Sequence, residues 1–208
     1  KLPGNRVILN AGARVDYFSG IKKNIAASPR FGVSYSLFAN TTLSASTGIY
    51  YQSPEYIWLT ADPRNENLKF IQANHFVVGI EHLFTPELRL SIEAYYKDYK
   101  NYPVSTVIPT YVFISSGTDN GPNLMYGEAV SEGKGISRGI DFSLHKKLTG
   151  NGFYGMINYS LSDSRVTALV GGEKPGSFDY RHNLTIIAGY QLTNDWLVGL
   201  KFRYTTGR

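Results

Sequence analysis

At 208 residues the chain is long enough for one sizeable domain, and it carries 42% hydrophobic and 14% aromatic residues with a net charge of +5. Cysteine is absent, which excludes disulfides, thiolate metal sites and thiol nucleophiles. The positive charge is spread along the chain with no run longer than two, which argues against a nucleic-acid partner.

No apolar run reaches the length of a membrane helix, yet a mean hydropathy of −0.21 is what alternating barrel strands average to. The chain begins with Lys1 and shows no signal peptide, and both ends read as cut from a longer protein.

Taken in order, the first strand is expected from about residue 6 to 18. It sets Val7, Leu9, Ala11, Ala13, Val15 and Tyr17 against Asn10, Gly12, Arg14 and Asp16. In the second, Phe31, Val33, Tyr35 and Leu37 alternate with Arg30, Gly32 and Ser34. After a short turn at Asn40, a third carries Leu43, Ala45, Thr47, Ile49 and Tyr51. A long loop over 53–72 holds Pro54, Tyr56, Trp58, Pro63 and Arg64. Strand four then spans about 74–84, with Phe76, Val78, Ile80 and Phe84 opposite Gly79 and Glu81. A tight turn at Thr85-Pro86 leads into strand five, where Leu88, Leu90, Ile92, Ala94 and Tyr96 oppose Arg89, Ser91, Glu93 and Lys97.

The longest loop runs over about 104–134, and strand six returns over 135–148 with Ile140, Phe142 and Leu144 opposite Asp141, Ser143 and His145. Strands seven (from Phe153), eight (about Arg181 to Leu192) and nine (Trp196 to Thr205) repeat the pattern, and no segment reads as a helix.

Short turns alternate with long loops, and aromatics such as Tyr17, Phe84, Tyr96, Phe153, Tyr190 and Trp196 collect at strand ends on the apolar face. Both features match an outer-membrane barrel with aromatic girdles. Strands of about ten to fourteen residues are also long for a soluble sandwich. The expected fold is therefore all-β: an antiparallel transmembrane β-barrel segment of about nine strands, with short periplasmic turns and long external loops. An odd strand number cannot close antiparallel, so residues 1–208 are expected to be part of one barrel domain, incomplete at both ends.

Two catalytic signals are weak. Gly135-Ile136-Ser137-Arg138-Gly139 matches a nucleophile elbow, but a loop precedes it and a strand follows, where the elbow needs strand then helix. Histidines 75, 82, 145 and 182 lie on different strands without metal-ligand spacing, so no metal is expected. Loop residues offer ring faces and polar groups for a ligand: Tyr56, Trp58 and Arg64 in one loop, Tyr111, Asn123 and Tyr126 in the other. A packed loop tip would use the same residues. Arg14, Arg30, Glu81, Arg89, Glu93, Asp141, Arg181 and Arg203 fall on the polar parity, where they would face a lumen or a plug, or pair across strands. Arg138 falls on the apolar parity at the long-loop rim, placed for a lipopolysaccharide phosphate.

Several stretches resemble consecutive barrel strands of TonB-dependent outer-membrane receptors. These are Ser28–Tyr35 (SPRFGVSY), Gly48–Gln52 (GIYYQ), Asn67–Lys69 (NLK) ahead of Gly79–Glu81 (GIE), Arg138–Asp141 (RGID), Asp179–His182 (DYRH) and Tyr204–Gly207 (YTTG). Where that family follows Asn-Leu-Lys with proline and an acidic residue, this chain has Phe70 and Ile71.

The resemblance implies a slice of a 22-stranded, plugged barrel that imports a scarce nutrient of the siderophore, vitamin or oligosaccharide class. It would lie in the outer membrane of a Gram-negative cell. The implied partners are the TonB complex, reached through a plug region outside this chain, a small nutrient, and outer-membrane lipid with lipopolysaccharide. No cofactor and no covalent chemistry are implied. The alternatives are a passive porin-like or adhesive barrel, and an outer-membrane hydrolase using Ser137.

Overall fold

The structure is a computed structural model and describes residues 6–115, 127–150, 152–177 and 179–206. Its strands are β1 (Val7–Tyr17), β2 (Ile25–Phe38), β3 (Thr41–Gln52), β4 (Ile71–Thr85), β5 (Leu88–Ser105), β6 (Ala129–Lys146), β7 (Phe153–Thr167), β8 (Glu173–Pro175), β9 (His182–Gln191) and β10 (Leu197–Thr205). They form one antiparallel sheet in the order β1-β2-β3-β4-β5-β6-β7-β9-β10, with β8 appended to β7. Nine strands make the path, as alternation predicts. The tenth is a three-residue strand within a connection that reads as loop.

Neighbours in sequence are neighbours in space, so the register follows from the alternation. Val78 faces Ala94, Ala94 faces Ile140, and Ile140 faces Leu161, giving one continuous apolar face. A one-residue slip in any pair would carry that strand's apolar set to the other side. On the apolar face Phe76 is 53% and Leu200 67% exposed, far more than a water-facing surface tolerates in one contiguous patch. β1 pairs only with β2 and β10 only with β9, so both are open edges among the described residues.

Two-residue turns join β2 to β3 and β4 to β5 at one rim, while residues 53–70 and 106–128 connect strands at the other. β5 and β6 are 18 residues each. That is about 60 Å along the strand, well beyond an apolar band about 25 Å tall. The excess carries the sheet past the band at the long-loop rim. There a bulge at Asn101 (φ 62°) shifts the register between Lys100 and Tyr102. The bulge brings the Tyr102 ring onto the side of Tyr99, against which it stacks at 5.4 Å.

The connection from β3 to β4 corrects the sequence reading, which has no helix. It contains α1 (Tyr56–Ala61) and a 3₁₀ turn (Pro63–Asn67). A six-residue helix lacks the length to show a period and lacks a side-chain cap at Glu55. What holds it is burial of Trp58. β2 and β6 also begin several residues earlier than alternation suggests. Pro29 pairs with Ala13 inside β2, and Gly133 and Gly135 pair within β6, where both residue types read as loop.

Candidate ligand-capture site at the long-loop rim

The buried apolar cluster of the described residues is not between the strands but at this rim. It comprises Ile21, Trp58, Leu68, Phe70, Ile71, Tyr102, Val104, Val112, Phe113 and their neighbours. Phe70 and Ile71, the departure from the family pattern noted above, supply part of it. The Trp58 ring meets Phe113 edge-on at 5.9 Å, so residues from the two longest connections share one core.

A single amide ties the connections together. Asn65, fully buried, donates from Nδ2 to the carbonyls of Trp58 (2.7 Å) and Gly127 (3.0 Å). Its Oδ1 accepts the backbone N–H of Ala129 at 2.8 Å. These bonds satisfy three main-chain groups inside the cap.

Beside it Asp62 caps the 3₁₀ turn by accepting the Arg64 N–H at 2.9 Å, and pairs with the Arg64 guanidinium at 2.8 Å. Those hydrogen bonds hold the Asp62 carboxyl at about 2, below its usual value. Arg64 also reaches Glu128 at 2.9 Å, a second link between the connections.

The residues expected to meet a ligand divide accordingly. Tyr56 stands 70% exposed on the cap, its ring edge-on to Phe18 at 5.4 Å. Trp58 is buried, its ring committed to the cap core rather than offered to solvent. Arg64 is exposed but held between Asp62 and Glu128. Tyr111 is half-buried against Phe113 at 6.0 Å. Asn123 and Tyr126 lie outside the described residues.

On the polar face the register aligns Arg14, Arg30, Glu81, Arg89, Glu93, Asp141 and Arg203 on one side of the sheet. Arg14 bonds Asp16 at 2.7 Å and Arg89 pairs with Glu81 at 3.5 Å, while Glu93 and Asp141 sit opposite each other as like charges. Arg181 departs from that group. It immediately precedes β9 at the long-loop rim and pairs at 3.0 Å with Asp163, whose strand position shares the apolar parity with Leu161. Asp163 also holds Arg138 (3.0 Å) and Arg165 (2.9 Å), so three guanidiniums converge on one carboxylate.

Ser137 lies inside the unbroken ladder of β6, opposite Lys97 and Ser164. The glycines flanking it have a packing reason. A Cβ on Gly135 would meet the Tyr102 ring at 2.6 Å, and one on Gly139 would meet the Tyr95 hydroxyl at 2.7 Å. The motif marks places where tyrosines cover bare backbone, the arrangement that rescues glycine in a strand. Among the described residues no three His, Asp or Glu side chains gather as a metal site.

Sequence reasoning misses Asn65. It shares the segment PRNEN with Asn67, and only partners 62 and 64 residues away distinguish the two.

The whole of residues 1–208 matches the family model described as TonB dependent receptor-like, β-barrel. The chain belongs to this family. No curated protein matches it. Among solved structures it is similar to the ferric enterobactin receptor PfeA of Pseudomonas aeruginosa, with TM-score 0.71 and 18% identity over 98% of this chain and 30% of that one. It is also similar to the ferric-catecholate import receptor Fiu of E. coli K12 (0.67, 15%, 97% and 32%). A third is the alcaligin outer-membrane receptor FauA of Bordetella pertussis (0.67, 16%, 100% and 36%). The chain thus spans about a third of the length of these receptors, and at such identities the likeness is one of fold. The sheet described above is that of a receptor barrel, and the family is one of receptors, not of enzymes.

Proposed function

We propose that this chain supplies wall strands and capping loops to an outer-membrane receptor that imports a ferric siderophore, with energy delivered through TonB, into a Gram-negative cell. Residues 1–208 are then part of one barrel domain whose other strands and plug lie outside them. The carrying observation is the Asn65-tied cap, which builds a pre-ordered surface from two long connections on one rim of a polar-faced sheet. An ordered cap limits the entropy lost on capture.

In this reading Tyr56, Arg64 and Tyr111, with Asn123 and Tyr126, contact the nutrient, and Trp58 holds the loop that presents them. Arg14, Arg30, Glu81, Arg89, Glu93, Asp141 and Arg203 line the lumen and meet the plug, while Arg181 serves the rim. The apolar face meets lipid, and Arg138, exposed beside Asp163, meets lipopolysaccharide phosphate. Capture at the rim is followed by passage once the plug is displaced, with no covalent step. Siderophores are favoured over vitamins and oligosaccharides because the solved structures of similar fold bear siderophore names.

Uptake of a radiolabelled ferric siderophore by cells carrying the whole receptor tests this. Removing TonB is expected to leave surface binding intact and to abolish accumulation. Accumulation at an unchanged rate without TonB would contradict the proposal and favour a passive barrel.

A further inference from the structure

On the apolar face, close to the short-turn rim, the wall is dented. Gly155 on β7 faces Ala188 on β9, while the neighbouring rungs carry large groups, Phe153 opposite Tyr190 toward the turns and Ile157 opposite Ile186 away from them. Leu88 and Lys146 continue the small rung on one flank, and Leu200 on the other. An apolar cavity of about 220 Å³ opens there. A Cβ on Gly155 would meet the Ile187 carbonyl oxygen at 3.1 Å and the tip of the Phe153 ring at 3.5 Å, so that ring forms the turn-side lip. The lining comes from β5, β6, β7 and β9, each with both of its neighbouring strands in the chain.

Lys146 stands at the edge of this dent. Among the described residues it is the one lysine, arginine or carboxylate that a strand end at this rim places on the apolar parity; Leu88, Phe153 and Tyr190 hold the corresponding places on adjacent strands. A lysine so placed lays its methylenes along the apolar wall and lifts its ammonium to the interface. The Lys146 Nζ donates to the Thr149 hydroxyl at 3.2 Å, three residues on in the turn, so the side chain runs toward the rim. The connection over 145–152 carries a second lysine, the exposed Lys147, and no acid.

Inside a bilayer the hydrophobic effect does not fill such a dent, because lipid tails are as apolar as the wall. An empty dent nonetheless forfeits the dispersion contacts of its lining. An apolar cavity of about 150 Å³ accepts a benzene-sized group, so this one accepts a short run of methylenes from an acyl chain. The choice of lipid then falls to the ammonium. Gly155 is two residues into β7, about 7 Å along the strand, which sets the dent at the depth of the first methylenes and the ammonium at that of a phosphate. In the importer the short-turn rim lies at the periplasmic leaflet, which is built of phospholipid and not of lipopolysaccharide. Two lysines in the adjoining turn favour a headgroup with net negative charge.

We propose that Gly155, Ala188 and Lys146 form an outward-facing site for one anionic phospholipid of the periplasmic leaflet, its phosphate on the Lys146 ammonium and one acyl chain seated in the dent. The site rests on the reading of the apolar face as lipid-facing with its short turns toward the periplasm. A lipid so held bridges β6, β7 and β9 at their turn ends, and its binding adds to the stability of that part of the wall.

The test uses the whole receptor in detergent micelles doped with palmitoyl-oleoyl phosphatidylglycerol or with the phosphatidylcholine of the same chains, and native mass spectrometry to follow the tightest-bound lipid. The wild type is expected to prefer phosphatidylglycerol. Lys146→Gln is expected to weaken phosphatidylglycerol binding about fivefold and to leave phosphatidylcholine unchanged, whereas Lys146→Arg keeps most of the preference. Ala188→Leu fills the dent from a Cβ already on the apolar parity and should weaken both lipids. Heat-modifiable migration kept by each variant separates these losses from a folding defect. A wild type without the preference, or phosphatidylglycerol binding that neither Lys146→Gln nor Ala188→Leu alters, would overturn the site. Unaltered binding of that kind beside TonB-dependent uptake would remove the site and leave the importer standing. The expected losses beside uptake that ignores TonB would keep the site and remove the importer.

Discussion

Replacing Asn65 by leucine is expected to release the rim cap while the sheet below stays folded. Leucine preserves the volume of the buried side chain but offers no hydrogen bond. The carbonyls of Trp58 and Gly127 and the N–H of Ala129 would then be left unpaired in the interior. Each such orphan costs about 1–3 kcal/mol, so three of them cost the cap on the order of 3–9 kcal/mol, which exceeds what local packing of a loop can hold. Asn65→Asp is expected to fare no better. It keeps an acceptor for Ala129 but turns a second oxygen toward two carbonyls. Limited proteolysis of the detergent-solubilised receptor reads this directly. Cleavage should appear within 53–70 and 106–128 in the variant, while the heat-modifiable migration of the barrel is kept. Protease resistance equal to wild type would show that the Trp58–Phe113 core holds the cap without the amide.

Gly139→Val is expected to strike the sheet itself. A Cβ at 139 would stand 2.5 Å from the Leu161 carbonyl oxygen and 2.7 Å from the Tyr95 hydroxyl. A tyrosine tip can swing away, but the carbonyl belongs to the β6–β7 ladder and yields only if the strands separate. Overpacking of this kind costs about 1–3 kcal/mol, and displacement of Tyr95 re-exposes the backbone it covers. The urea midpoint of barrel unfolding should fall, and less mature receptor should reach the outer membrane. Gly150→Ala, where a Cβ meets nothing within 4 Å, is the matched control and should change neither. An equal midpoint in Gly139→Val would mean the β6–β7 ladder has slack that the close approach does not suggest.

The sheet was legible because its physics is local. Leu90, Ile92 and Ala94 alternate with Ser91 and Glu93, and once two such strands meet through a two-residue turn, period and register follow. The cap was not legible, because nothing local encodes it. Tyr56–Ala61 is too short to show a helical period, and Asn65 differs from Asn67 only through partners on another connection. Trp58 was visible as an aromatic in a loop, yet the sequence leaves open whether such a ring faces a ligand or a core. Strict alternation from Tyr96 would put Tyr102 on the apolar face, and the bulge at Asn101 reverses that.

The proposed importer depends on one placement: the apolar face against lipid, the cap outside the cell and the short turns inside. The absence of cysteine in residues 1–208 makes it directly measurable by single-cysteine labelling in the whole receptor, after any cysteine elsewhere is replaced. Tyr56→Cys on the cap is predicted to react with a membrane-impermeant maleimide on intact cells. Asn194→Cys, on the turn between β9 and β10, should react only once the outer membrane is permeabilised, and Val78→Cys, on the apolar face, in neither condition. Labelling of Asn194→Cys on intact cells, or of Val78→Cys at any stage, would contradict the placement and with it the importer built upon it.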